Sequence, residues 1–270
     1  MTGGIQYFGI AAADGTSPSY IGIITGGSHR IPSEVREQRG IGSHKAFGYV
    51  PGLLTPNGSV NFKVQNNLII AKAIRTAGGA LTEFGVDCGD TSWGALYKNC
   101  LCNNLTLHAA AGEELTATFS WMAKTAAEES GAQTQTAATD NPFMWHDFAM
   151  TGLTGLTIVS IDISITHRLT QEAVLETPAT DAKRFPKYVQ DTGQDVISFT
   201  LSLRAQGGAD ITADALAKIA SIVITFTRAE GDTLALTLTD AWLSEKNDDF
   251  TPDALATKGL IYNCDDLAIT

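Results

Sequence analysis

The sequence predicts a mainly β protein made of two tandem antiparallel β-sandwich or partial-barrel domains, each with one short flanking helix. Three observations carry that expectation. Apolar and small polar residues alternate with period two in at least five segments. Thr occurs 32 times and Gly 26 times in 270 residues, whereas long helical-period runs of Leu, Glu and Lys are scarce. The two halves of the chain also match each other in residues and in order of elements.

The alternation is clearest in Ile161, Ile163 and Ile165, set between Ser160, Asp162, Ser164 and Thr166. One face is aliphatic and the other small and polar, the pattern of a strand buried on one side. Ile197, Phe199, Leu201 and Leu203 alternate with Ser198, Thr200 and Ser202 in the same way. So do Val60, Phe62 and Val64, then Ile222, Ile224 and Phe226, then Leu234, Leu236 and Leu238.

Turn chemistry predicts hairpins at three places. Thr55-Pro56-Asn57-Gly58 precedes a strand, and Asn-Gly readily adopts the positive φ of a tight turn. Ala109 to Glu113 and Ala229 to Asp232 each separate two strand segments. One helix is expected after Asn66 or Asn67, carrying Leu68, Ile69, Ala71 and Ile74 and stopping at Gly78-Gly79. A second is expected over Thr212 to Ala220, with Leu216, Ile219 and Ala220 inward.

Thr125 to Asn141 lacks periodicity and reads as an exposed linker or surface loop. It divides the chain into domains at 1–128 and 142–270, with 129–141 between them. Gly26 to Gly58 and His167 to Gln194 lack sustained alternation and read as long loops, which in compact domains usually serve function. At an offset of 138 residues these loops share His29/His167, Arg30/Arg168, Glu34/Glu172, Lys45/Lys183 and Phe47/Phe185. The match points to a duplicated β domain.

The formal net charge of −11 removes the basic footprint on which most nucleic-acid binders depend. No apolar run approaches the ~20 residues of a membrane span, and the first ten residues show no signal-peptide pattern. Synthesis as a soluble protein in a cytoplasm is therefore expected, with no membrane partner. Four cysteines are too few for a disulfide framework, and Cys100-x-Cys102 lacks the spacing and second pair of a structural zinc site. Core packing is the expected role of Cys88, Cys100, Cys102 and Cys264. The five histidines form no HExxH or HxH spacing, and neither a Gly-x-Ser-x-Gly elbow nor a GxxxxGK[ST] phosphate loop occurs. Asp248-Asp249 and Asp265-Asp266 read as solvated turns rather than catalytic pairs. No cofactor, metal or enzymatic activity is expected, and the four tryptophans are assigned to core or interface packing.

Three segments together resemble the tail tube, or major tail, proteins of long-tailed bacteriophages and related viruses. They are Tyr49 to Val64 with the helix after it, Cys102 to Lys124 with its Asn-x-Leu-x-Leu and Ala-Gly-Glu, and Thr157 to Leu203. The resemblance implies a non-enzymatic virion protein that assembles into stacked rings. The hollow tube so formed, synthesised in the host cytoplasm and placed in the virion tail, delivers DNA without binding it specifically. It implies contacts with tail terminator, tape-measure and baseplate or tip proteins. In that reading Asn61, Lys63, Ser160, Asp162, Ser164, Ser198, Thr200 and Ser202 face the lumen. The loop residues His29, Arg30, Glu34, Lys45, Phe47, His167, Arg168, Glu172, Lys183 and Phe185 make contacts between rings. A duplicated chain would close a ring of three with pseudo-sixfold symmetry, and undivided single domains a ring of six. Two other readings stand beside it: a capsid-decorating or adhesin-like β-sandwich, and a β-sandwich carbohydrate-active enzyme.

Overall fold

A computed structural model describes residues 5–38, 48–90, 93–130, 136–153, 155–174, 184–204, 218–249 and 257–269. The first half runs through β1 (Tyr7–Ala11), β2 (Ser19–Tyr20), β3 (Ile24–Arg30), β4 (Ser33–Gln38), β5 (Gly48–Leu54) and β6 (Asn57–Lys63). A single helical turn, α1 (Ile70–Ala73), leads into β7 (Phe84–Gly89) and two long strands, β8 (Trp93–Ala110) and β9 (Thr116–Ser130). A 3-10 turn at Trp145–Asp147 opens the second half, followed by β10 (Phe148–Thr151), β11 (Ile158–Thr166), β12 (Leu169–Glu172), β13 (Tyr188–Asp191) and β14 (Val196–Arg204). It closes with β15 (Ile219–Thr227), β16 (Thr233–Asp249), β17 (Thr257–Cys264) and β18 (Asp266–Ile269).

All strand pairs are antiparallel, and one path of pairing passes through both halves. It reads β3-β6-β9-β8 and then, across a β8–β11 junction, β11-β14-β17-β16. The second block repeats the strand order of the first. β8 and β16 are long enough to leave this sheet and enter a second layer: β8 pairs with β7, which pairs with β1, and β16 pairs with β18 and with β15, which pairs with β10. The aliphatic faces read from the alternation, among them Ile161, Ile163, Phe199, Leu201, Ile222 and Leu236, lie in the core. A single cluster runs from Phe8 and Trp121 through Leu107, Ile163 and Phe199 to Phe226. Residues of both halves thus contribute to one apolar cluster.

Irregularities recur at matching places. Asn99 in β8 and Asp240 in β16 both have positive φ, 50° and 52°. The bulged positions Asn103 and Ser244 stand in the same strands, each 141 residues from its counterpart. Thr25 in β3 and Val159 in β11 are also bulged, 134 residues apart. β3 and β11 therefore superpose four residues away from the offset of 138, and β8 and β16 three residues away. A slip of four preserves the inward and outward alternation, so the residue pattern alone does not detect it.

Several local expectations need correction. Asn57-Gly58 makes no tight turn; both residues lie inside β6, paired with β3 and β9. Gly58 is required there because a Cβ would run into the Trp121 ring. The two supposed long loops each contain a separate hairpin, β4–β5 and β12–β13. Thr125 to Ser130 is the end of β9, paired with β8. Residues 136–141 are tied down by Gln65, whose amide donates to the carbonyls of Ala138 and Asp140. The first helix shrinks to one turn without a side-chain cap at Ile69. Of the second, Ile219 and Ala220 begin β15, and 212–217 lie outside the described residues. The turns at 109–113 and 229–232 form as expected, with Gly112 and Gly231 at positive φ.

Candidate functional site

The face of the eight-stranded path turned away from the core is mostly polar. One rung crosses it as Gly26, Asn61, Thr118, Thr106, Ser164, Ser198, Asn263 and Trp242. The next runs Lys63, Thr116, His108, Asp162, Thr200, Ile261 and Glu245. Asn61, Lys63, Ser160, Asp162, Ser164, Ser198, Thr200 and Ser202 all lie on this one face. Asn104, Thr106, His108, Thr116, Thr118 and Ser120 share it, although the alternation gave no reason to single them out. Their placement follows from the β8–β11 junction, which joins two blocks of distant sequence.

The charges on this face are largely paired. Lys63 Nζ lies 2.6 Å from Glu114 Oε1, and that hydrogen bond holds the Glu114 carboxyl below its ordinary pKa. His108 Nδ1 meets Asp162 Oδ1 at 2.7 Å. Hydroxyls and amides satisfy one another elsewhere, as in Ser164 with Ser198 at 2.8 Å and Asn104 donating to Thr166 at 2.9 Å. Chemically the face is polar, and its described residues form no row of unpaired cations that would hold phosphates.

The ends of the sheet differ. Both hairpins leave from the end marked by Arg30, Asn57, Thr166 and Val196. The opposite end carries the β8–β9 turn and an open apolar groove between Ala109, Trp145, Phe148, Leu156 and Val159. Hairpin β12–β13 folds back on its own chain, where Leu169 and Val189 cover Leu101 and Met122. Gln171 donates to the carbonyls of Pro56 and Ala123, and Arg184 to Ser33 Oγ. Hairpin β4–β5 instead exposes Val35 and Tyr49, 58% and 67% accessible.

The loop candidates therefore separate. His29 lies within β3, stacked on Trp93 at 4.5 Å and hydrogen-bonded to Tyr97 at 2.8 Å; burial holds its pKa below the ordinary value. The His167 side chain is fully buried, its Nδ1 2.7 Å from Asp195 Oδ1 and its Nε2 2.9 Å from the Ala73 carbonyl. With both nitrogens engaged inside the chain, it is neither a loop-tip contact nor a base open to a substrate. Arg30 ends β3, exposed and bonded to Asn57 at 2.9 Å; Arg168 and Glu172 are exposed and Phe185 is half-buried. Glu34 lies in β4, and Lys45, Phe47 and Lys183 fall outside the described residues.

Among the described residues, no group of three or more His, Cys, Asp or Glu side chains could hold a metal ion. The four thiols are buried and free, and burial pushes each of their pKa values up, that of Cys264 to about 11. No helix among the described residues is long and apolar enough to cross a membrane. Compared with known proteins, residues 7–261 match the family model described as phage tail tube protein. No curated protein matches the chain.

Proposed function

The chain belongs to the phage tail tube protein family and is a structural protein of the virion tail, and on that premise we propose that its copies close into rings that stack into the hollow tube delivering viral DNA. The observation that carries this reading is the eight-stranded path made of two like four-stranded blocks, with its core on one face and paired polar groups on the other. A sheet with a right-handed twist and two free edges closes when copies join edge to edge. The polar face then lines the lumen, and Asn61, Lys63, Ser160, Asp162, Ser164, Ser198, Thr200 and Ser202 meet the passing DNA without retaining it.

Barrel geometry favours three chains. At ~4.8 Å between strands and a tilt of ~40°, twenty-four strands set opposite backbones about 48 Å apart, and side chains leave about 35–40 Å of lumen. That admits a DNA duplex, whereas one chain's eight strands leave room only for side chains and six chains about double the diameter. Hairpins at one end of the sheet and an apolar groove at the other suit head-to-tail stacking, a heterologous contact that propagates instead of closing. Tail terminator, tape-measure and baseplate or tip proteins are the partners expected at the ends and inside the tube.

Electron microscopy of the purified chain tests the proposal. Tubes whose averaged cross-section and mass per axial repeat correspond to three copies are expected. Six copies per repeat would defeat the two-block ring, and discrete small particles at high concentration would favour a decorating or adhesin-like protein.

A further inference from the structure

The junction buried inside the chain is a template for one that the chain leaves open. At the internal junction β11 adds to the far segment of β8, Ser164 lying opposite Thr106. Hairpin β12–β13, which follows β11, covers the same region of β8, with Leu169 and Val189 packed on Leu101, only 6% exposed. The equivalents of these elements stand at the two ends of the path. Among the described residues β3 pairs only with β6, and Trp242–Asp249 of β16 pairs only with β17.

The residue equivalences follow from the shared irregularities. The offset of 141 that superposes Asn99 on Asp240 and Asn103 on Ser244 carries Leu101 to Trp242 and Thr106 to Asn247. The offset of 134 that superposes Thr25 on Val159 carries Arg30 to Ser164 and Val35 to Leu169. Tyr49 stands to Val35 as Val189 stands to Leu169, each facing the residue two places along the opposite strand: Tyr49 faces Glu37 and Val189 faces Gln171. The accessibilities then divide in one direction. Leu101, Leu169 and Val189 are buried at the internal junction, while Trp242, Val35 and Tyr49 are 51%, 58% and 67% exposed. Large apolar side chains so exposed at corresponding places on two free edges mark an interface.

We infer that the occupant of each edge is a second copy of this chain: β3 of one copy adds antiparallel to β16 of the next with Arg30 opposite Asn247, and Val35 and Tyr49 of its hairpin cover Trp242. The inference rests on the ring reading and names the contact that closes it. Arg30 falls diagonal to the exposed Glu245 on the same face, within reach of a long side chain. The intermolecular seam thus gains an ion pair where the internal junction has hydroxyls. Trp242 supplies a central aromatic anchor of the kind that dominates interface energy.

Paired cysteines test the register. Arg30→Cys with Asn247→Cys forms intermolecular disulfides on oxidation of the full chain, in species no larger than three copies if the ring closes at three. Ser28→Cys with Glu245→Cys, the pair that an offset of 138 for β3 would bring together with 141 kept for β16, does not crosslink. The four native thiols, buried with raised pKa values, do not compete. Adding Trp242→Ser to the first pair lowers the crosslinked yield at least tenfold. Crosslinking by the second pair alone overturns the register. Failure of both pairs while micrographs show tubes overturns the edge contact and leaves the tube standing. Failure of both without tubes removes the ring reading as well.

Discussion

Arg75 and Asp195, 120 residues apart, are joined by two hydrogen bonds of 2.5 Å, guanidinium Nε to Oδ2 and Nη2 to Oδ1. Arg75 also reaches Asp191, and Asp195 also faces His167, so this cluster clasps the end of the first-half helix to the base of the second-half hairpin. Burial is the largest single influence on Asp195 and pushes its carboxyl up. The Arg75 and His167 hydrogen bonds together outweigh it and hold the folded pKa below the ordinary 3.8.

A depressed carboxylate pKa contributes stability that is fully present above 3.8 and lost as pH falls through the folded value. Asp195→Asn is therefore expected to cost about 3 kcal/mol at pH 7, as for loss of one partner of a buried pair. The difference from the parent shrinks below pH 3.8. Urea midpoints of both proteins at pH 7 and pH 3 check this, and a cost that does not depend on pH would deny the clasp its charge.

Gly58→Ala is expected to destabilise by about 1–3 kcal/mol through overpacking. The new methyl meets the Trp121 ring and, at 2.8 Å, the carbonyl oxygen of Ser28, neither able to withdraw from a paired strand. A thermal midpoint equal to that of the parent would show that the ladder has room.

The Trp242 ring is half exposed in the single chain, so Trp242→Ser should leave the melting temperature of unassembled protein nearly unchanged. Assembly should weaken by about 2 kcal/mol or more, roughly thirtyfold in the concentration at which tubes appear. Light scattering against concentration gives the threshold.

Hydrogen exchange should distinguish the hairpins. β12–β13, packed on Leu101 and Met122, is expected to be protected before assembly, whereas β4–β5, with Val35 and Tyr49 outward, gains protection only in tubes. Equal protection of β4–β5 in both states would mean that its apolar face is already covered.

Asp162→Lys replaces an anion with a cation beside His108 on the polar face, where both side chains are 42% exposed. Folding should change by less than about 1 kcal/mol and tubes should form. DNA release from particles carrying the variant should slow, because the added cation attracts phosphates. Failure to fold would place Asp162 in a structural network instead.

Period-two alternation made most of the fold legible. Ile161–Ile165 and Ile197–Leu203 show which side of each strand is buried, and the turns at Gly112 and Gly231 needed only local chemistry. The hairpins hidden in supposed loops were less legible, because β12 and β13 are four residues each, too short for a period to emerge. His29 and His167 show a subtler failure. Their shared identity suggested equivalence, yet the ladders superpose His29 on Ile163, since an even-numbered slip leaves every side chain on its proper face.

The β-rich class, the sidedness of the longer alternating strands, the acidic balance and the resemblance to a family are readable in the residues alone, because these are properties of short segments and of composition. Tertiary structure decided which strands are neighbours. Local alternation cannot encode that β8 pairs with β11, that Leu101 is covered by Leu169 and Val189, or that Trp242 is left bare. Each depends on contacts between segments tens of residues apart or more, and only the packed core selects among registers that the residue pattern treats as alike.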